Sequence, residues 1–137
     1  MPIRGFLPRK LCLVCLMVLA TINKSKQLLL LTFIGQVRAE ELAQGREEMA
    51  ALLAELAPGF RLLADFGRLD SFAMGSAAEI GKVMELCDQK GIGLVVRVIP
   101  DKSKDIGFNI LSHFHYHHHP RTAHFTSMAE AAKLLAL

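Results

Sequence analysis

Residues 60–99 read FRLLADFGRLDSFAMGSAAEIGKVMELCDQKGIGLVVRVI. Residues 60–66 have the length and apolar content of a strand. Residues 67–75 read as a loop. Ser76 followed by Glu79 has the form of a capping box, in which a serine hydroxyl satisfies a free N–H at a helix start and the glutamate bonds back. Ile80, Val83, Met84 and Cys87 then recur at helical spacing, and Gly91 is a helix stop. Residues 93–99 are rich in β-branched side chains and read as a buried strand. Strand, helix and strand in this succession imply a parallel pair joined by a crossover.

The same pattern extends in both directions. Residues 28–34 are a continuous apolar run of strand length ended by Gly35. Residues 39–57 carry Leu42, Met49, Leu52, Leu53 and Leu56 at helical spacing, with Glu40, Glu41 and Arg46 expected to face out. Pro58-Gly59 stops that helix. Upstream, residues 17–22 and 28–34 flank the polar turn Asn23-Lys24-Ser25-Lys26, a hairpin signature without the favoured Asn-Gly pair. Downstream, Pro100-Asp101 breaks the chain, and a helix is expected from about Lys104 toward Tyr116. Residues 121–125 read as a short last strand. Ser127 followed by Glu130 is a second capping box, with Met128, Ala131, Ala132 and Leu135 on one side of the terminal helix. The expected order is β-β-α-β-α-β-α-β-α. It is an α/β fold, one domain over residues 17–137, with a mixed, mostly parallel sheet of about five strands and about four helices.

With 137 residues the chain has room for one domain and one real core. The net charge of +3 lies in residues 1–16, where Arg4, Arg9 and Lys10 stand without an acid, and the remainder is neutral. No basic stripe for nucleic acid is present. Residues 1–16 read as an N-terminal extension or a leader. The apolar run that begins there is shorter than the ~20 residues of a bilayer span, and it lacks a small-x-small cleavage site. The expected location is the cytoplasm, or export if residues 1–22 act as a leader. Three cysteines make no disulfide framework, and the Cys12-x-x-Cys15 pair has no second pair to complete a zinc site.

Three stretches carry a family resemblance. They are TFIGQVRAEEL (32–42), LLADFGRLDSFAMGSAAEIGKVMELCDQKG (62–91) and RVIPDKSKDIGFNILSHFHY (97–116). Through them the chain resembles a STAS domain, the fold of bacterial anti-sigma factor antagonists and of sulfate-transporter tails. It is more similar still to the divergent STAS-like proteins. The resemblance implies a non-enzymatic regulatory domain that binds a protein partner of the anti-sigma factor or sensor kinase type, without a cofactor and without a stable membrane span. A homodimer stays open. In the phospho-switched antagonists an Asp-Ser pair precedes the second helix, and its serine is phosphorylated by the partner kinase. Here Met74 stands where the aspartate belongs and Gly75 where the serine belongs. Ser76 falls one place late and has a sufficient role as helix cap. Ser71 follows Asp70 but lies too early. The resemblance thus implies a partner-binding surface of Asp70, Ser71, Met74, Gly75, Ser76, Ser103 and Asp105, without the usual phosphoserine. A second class is a small-ligand or lipid-binding protein, because some relatives of the fold hold apolar ligands between helices and sheet.

A third class rests on HFHYHHHP (113–120), which with His124 holds all six histidines of the chain. If the helix continues to about His118, His113 and His117 are neighbours one turn apart and form a weak metal-ligand pair, as do His115 and His119. The two pairs point apart, so the expected state is a helix end without a native metal. Imidazoles in such a tract also respond to pH. Enzyme motifs are absent: no G-x-S-x-G, no P-loop and no G-x-G-x-x-G after a strand. Asp65 and Asp70 lie where open α/β sheets bind ligands. Arg97, inside an apolar strand, calls for a carboxylate, and Asp65 or Asp101 is expected to supply it.

Overall fold

The hairpin sets the edge of the sheet. β1 (Val18–Asn23) pairs antiparallel with β2 (Leu28–Val37), from Val18 opposite Phe33 to Asn23 opposite Leu28. The turn needs no Asn-Gly pair because Asn23 closes it with its side chain. Its Oδ1 accepts from the Lys26 N–H at 3.2 Å and from the Ser25 hydroxyl at 2.8 Å. Alternation buries Val18, Ala20 and Ile22. The computed structural model describes residues 18–137, with the side chains of 102–106 outside the description. The extension of residues 1–16, Met17 and the Cys12/Cys15 pair therefore lie outside the described residues.

After β2 come α1 (Ala39–Leu53), β3 (Arg61–Phe72), α2 (Ser76–Lys90), β4 (Leu94–Val98), α3 (Lys102–His115), β5 (Arg121–Phe125) and α4 (Met128–Leu135). The sheet order is β1-β2-β3-β4-β5, and every pair after the hairpin is parallel. Strands added in one direction by crossovers of one hand put their helices on one face. Accordingly α1, α2 and α3 cover the face carrying Leu31, Phe33, Leu62, Phe66 and Val95. α4 folds back on the opposite face over Leu63, Val96 and Val98, seated by Ala131 and Leu135.

Two strands run past their expected ends. β2 continues through Gly35, whose φ of 68° lets the strand bulge instead of stop. β3 continues through Gly67 to Phe72 because β2 extends beside it, with Gln36 opposite Ser71 and Val37 opposite Phe72. Residues 67–72 are thus strand, and Asp65 stands inside it. The expected outward Glu41 is instead buried, its carboxylate accepting from the Arg38 N–H at 3.0 Å to close the start of α1. Ser127 does cap α4, accepting from the Glu130 N–H at 3.4 Å.

Arg97 is 2% exposed on β4. It donates to Asn109 Oδ1 at 3.0 Å and to the Ser112 hydroxyl, and its guanidinium carbon lies 6.0 Å from the Phe108 ring centre. Asp65 is not its partner. Alternation turns Asp65 away from the Ala64 and Arg97 face, and its Oδ1 accepts from the Gly67 N–H at 2.9 Å.

Removing β1 strips the β2 ladder and takes three buried side chains, Val18, Ala20 and Ile22, out of the core. A chain starting at Gln27 is expected to elute as aggregate in size-exclusion chromatography, whereas one starting at Met17 keeps the hairpin and elutes as the full chain does. Equal elution and equal melting of the two shortened chains would show that the hairpin is dispensable.

Candidate functional site

The sheet's carboxyl edge ends in a turn that the rest of the fold holds rigidly. β3 gives way at Ala73, whose N–H bonds the Val37 carbonyl at 2.8 Å. The Ser76 hydroxyl donates to the same carbonyl at 3.2 Å. Ser76 is completely buried and is not the helix cap. That position belongs to Gly75, whose φ of 87° is left-handed and would strain any other residue. The expected capping box at Ser76 is therefore corrected. Its glutamate, Glu79, pairs instead with Arg46 of α1 at 2.5 Å and with Lys82 at 3.0 Å. The Lys82 hydrogen bond is the main reason the Glu79 carboxyl sits below its usual range, with Arg46 adding to it against the opposing effect of burial.

The turn throws Met74 fully into solvent, 100% exposed. Beside it opens a cleft of about 530 Å³ between the end of β3, the start of α2 and the facing side of α3. Asp70, Ser71, Met74 and Gly75 line it. Ser76 does not, because its side chain points inward. The side chains of Ser103 and Asp105 fall outside the description. Sequence reasoning missed the apolar lining: Leu69, Phe72, Ile80, Phe108 and Leu111. Phe72 and Phe108 meet edge to face at 5.6 Å, and Phe66 lies 4.3 Å from Phe108 and 4.9 Å from Phe33. Recurrent phenylalanine near the carboxyl ends of adjacent strands is the signal that could have exposed this floor. Behind it lies a void of about 40 Å³ whose walls include Phe72, Ile80 and Phe108, shared with the cleft, and also Arg97 and Tyr116.

The histidine tract does not form the expected pairs. α3 ends at His115, and Tyr116 turns into the core at 4% exposure. His117 is therefore off the helix, and the turn-apart pairing of His113 with His117 and of His115 with His119 is lost. His119, at φ 47°, instead brings its ring 6.2 Å from that of His113. His115 and His118 face carboxylates of α2, at 2.6 Å from Glu85 and 3.0 Å from Asp88. Among the described residues no group of three or more histidine, cysteine, aspartate or glutamate side chains is arranged to hold a metal. Cys87 is buried, which pushes its thiol up to about 12 and makes it a core residue without reactivity at neutral pH.

No protein-family model and no curated protein matches the sequence. Solved structures do match. A protein of the DUF3478 family from Shewanella loihica, with a SpoIIAA-like fold, superposes with a TM-score of 0.67 at 18% identity, over 86% of this chain and 93% of that one. The anti-sigma factor antagonist SpoIIAA in its unphosphorylated form gives 0.58 at 12% identity, over 87% and 96%. The phosphorylated form of the Bacillus cell fate determinant SpoIIAA gives 0.53 at 14%, over 86% and 98%. Likeness at these identities is likeness of fold. The chain has the SpoIIAA-like, or STAS, fold.

Burial decides what substitution of Ser76 does. Ser76→Ala is expected to cost about 1 kcal/mol through the lost bond to Val37. Ser76→Asp places an unpaired carboxylate beside a carbonyl and is expected to cost about 3 kcal/mol. Thermal and urea melts of the two variants check this. A Ser76→Asp protein as stable as the parent would mean that the hydroxyl points outward.

Proposed function

We propose that the protein works by binding rather than catalysis, as a regulatory domain of the anti-sigma antagonist kind in the cytoplasm, with the cleft beside Met74 as its partner face. One observation carries the reading. A wholly exposed methionine stands on a turn fixed by the left-handed Gly75 and two bonds to Val37, over an apolar cleft. An apolar side chain on a rigid mount loses little entropy on docking, and methionine adapts to irregular partner surfaces. Asp70 and Ser71 give the cleft a polar rim. SpoIIAA is an antagonist known in phosphorylated and unphosphorylated forms. For this chain the proposed contact uses no phosphoserine at the helix start. Gly75 stands at the matching place, and the neighbouring Ser76 hydroxyl is buried.

A second reading, an apolar small ligand, is favoured by the void that adjoins the cleft across Phe72, Ile80 and Phe108. Native mass spectrometry separates the two, since a ligand adds a discrete small mass to the purified chain.

A photo-crosslinking residue placed at position 74 in the producing cell is expected to capture one protein, and the same residue at position 133, on α4, is expected not to. Met74→Asp should weaken the isolated pair by at least ~30-fold, the scale of losing an apolar anchor, with the circular dichroism of the chain unchanged. Equal capture from both positions, or full affinity in Met74→Asp, would remove this reading.

A further inference from the structure

Over its described residues α3 is tied to the molecule by polar groups as well as by Phe108 and the half-buried Leu111. Of its described side chains only Phe108 is buried, and the segment beyond adds Tyr116. The remaining ties are Arg97 to Asn109 and Ser112, and two imidazoles to α2. His115 Nδ1 lies 2.6 Å from Glu85 Oε2. The ring rests directly on the α2 backbone at Gly81, where a Cβ would overlap it. His118 Nδ1 lies 3.0 Å from Asp88 Oδ2, and the His118 N–H donates to Asp88 Oδ1 at 3.1 Å. Asp88 is 2% exposed, so these bonds replace the water it has lost.

We propose that His115 and His118 form a proton-operated clasp that fixes the carboxyl end of α3 on α2. With a ring charged, each contact is an ion pair and a hydrogen bond together. With the ring neutral, only the hydrogen bond is left. The extra stabilisation is present while the rings are charged and is lost when they are neutral.

Other charged and titratable groups surround this seat. α2 presents Lys82, Glu85, Cys87 and Asp88, and β4 presents Arg97. Cys87 stays neutral because burial pushes its thiol up to about 12, and burial raises the Tyr116 phenol further from its ordinary range. Arg97, as a guanidinium, is a permanent cation. Burial works to raise the Asp88 carboxyl, but the backbone and ring bonds from His118 outweigh it and leave the carboxyl below its usual range. Asp88 therefore keeps its charge further into acid than an ordinary aspartate. His113, His117 and His119 lie along the same segment, and each is exposed.

The same helix supplies Gly107, Phe108 and Leu111 to the cleft, so the clasp sets the cleft's far wall. This consequence rests on the partner-binding reading, whereas the clasp itself rests on geometry alone. Amide hydrogen exchange over residues 107–116 of the full chain, at about pH 5.5 and about pH 8 and corrected for intrinsic rates, tests it. Protection is expected to fall about fivefold from the lower pH to the higher, with β4 unchanged. His115→Gln with His118→Gln should flatten this response, and His113→Gln with His117→Gln should keep it. Where the first pair fails to fold, His118→Gln alone, at a largely exposed ring, should shrink the response. A wild-type protection independent of pH, or an undiminished response in the His115 and His118 variants, overturns the clasp. Loss of the crosslink at position 74 with the exchange response intact removes the partner reading and leaves the clasp standing.

Discussion

A guanidinium buried in the middle of an apolar sheet face is the constraint on which the cleft side of the molecule depends. Arg97 sits on β4 among Leu62, Ala64, Phe66 and Val95, and a charge left unsatisfied there would cost several kcal/mol. Asn109 and Ser112 answer it from one face of α3, at positions three apart, so α3 must lie over β4 with that face inward. The same rotation turns Phe108 onto the guanidinium and into the cluster of Phe66 and Phe72. It leaves Ile110 and Phe114 outward, 55% and 66% exposed. A helix placed by hydrophobic burial alone would have turned these two inward. Hydrogen bonds to Arg97 and the apolar contacts of Phe108 thus turn the same face of α3 inward.

The other wall of the cleft obeys a different rule. The β3–α2 turn is fixed by backbone geometry, with the Val37 carbonyl receiving both the Ala73 N–H and the Ser76 hydroxyl. Val37 can do this only because β2 runs past Gly35, and β3 reaches Phe72 only because β2 is there to pair with it. Extension of two strands by a few residues thus converts a loop into a mount. The side that presents Met74 is rigid by covalent and sheet geometry, and the facing side, α3, is seated by ionisable groups.

The order of elements was legible because its signals are local. Alternating burial marks β1, helical spacing marks α1 and α2, and Gly91 stops α2 by adopting the left-handed conformation that was expected of it. Ser127 capped its helix as its spacing with Glu130 implied. Failures fell where a residue answers to something distant. Gly35 looks like a strand end, but a bulge needs the same positive φ as a stop, and only the partner strand decides between them. Ser76 and Glu79 have the spacing of a capping box, yet each found a better partner in another element, Val37 for one and Arg46 for the other. Glu41 looked solvated because it is charged, but it lies under cover, with Oε1 accepting from the Arg38 N–H and Oε2 left without a hydrogen bond. The apolar floor of the cleft was missed for the same reason, although recurrent phenylalanine at the strand ends hinted at it. Phe33, Phe66, Phe72 and Phe108 come from three elements, β2, β3 and α3, and only the fold brings them together.

The histidine tract shows how a single helix end can redistribute chemistry. Six imidazoles within twelve residues suggest one function by composition. Tyr116 breaks that unity, because its ring takes a core position and stops the helix there. The residues before and after it then leave in different directions, His115 onto Gly81 and Glu85, His118 onto Asp88, and His119 back toward His113. The void of about 40 Å³ under Phe108 and Tyr116 bears on the same region. Close-packed cores resist displacement, whereas a helix over a void can shift without overlapping its neighbours. α3 thus combines few buried side chains, a void beneath it and polar ties at its end. Among its described residues this combination leaves α3 lightly anchored, and α3 is the element that forms one wall of the cleft.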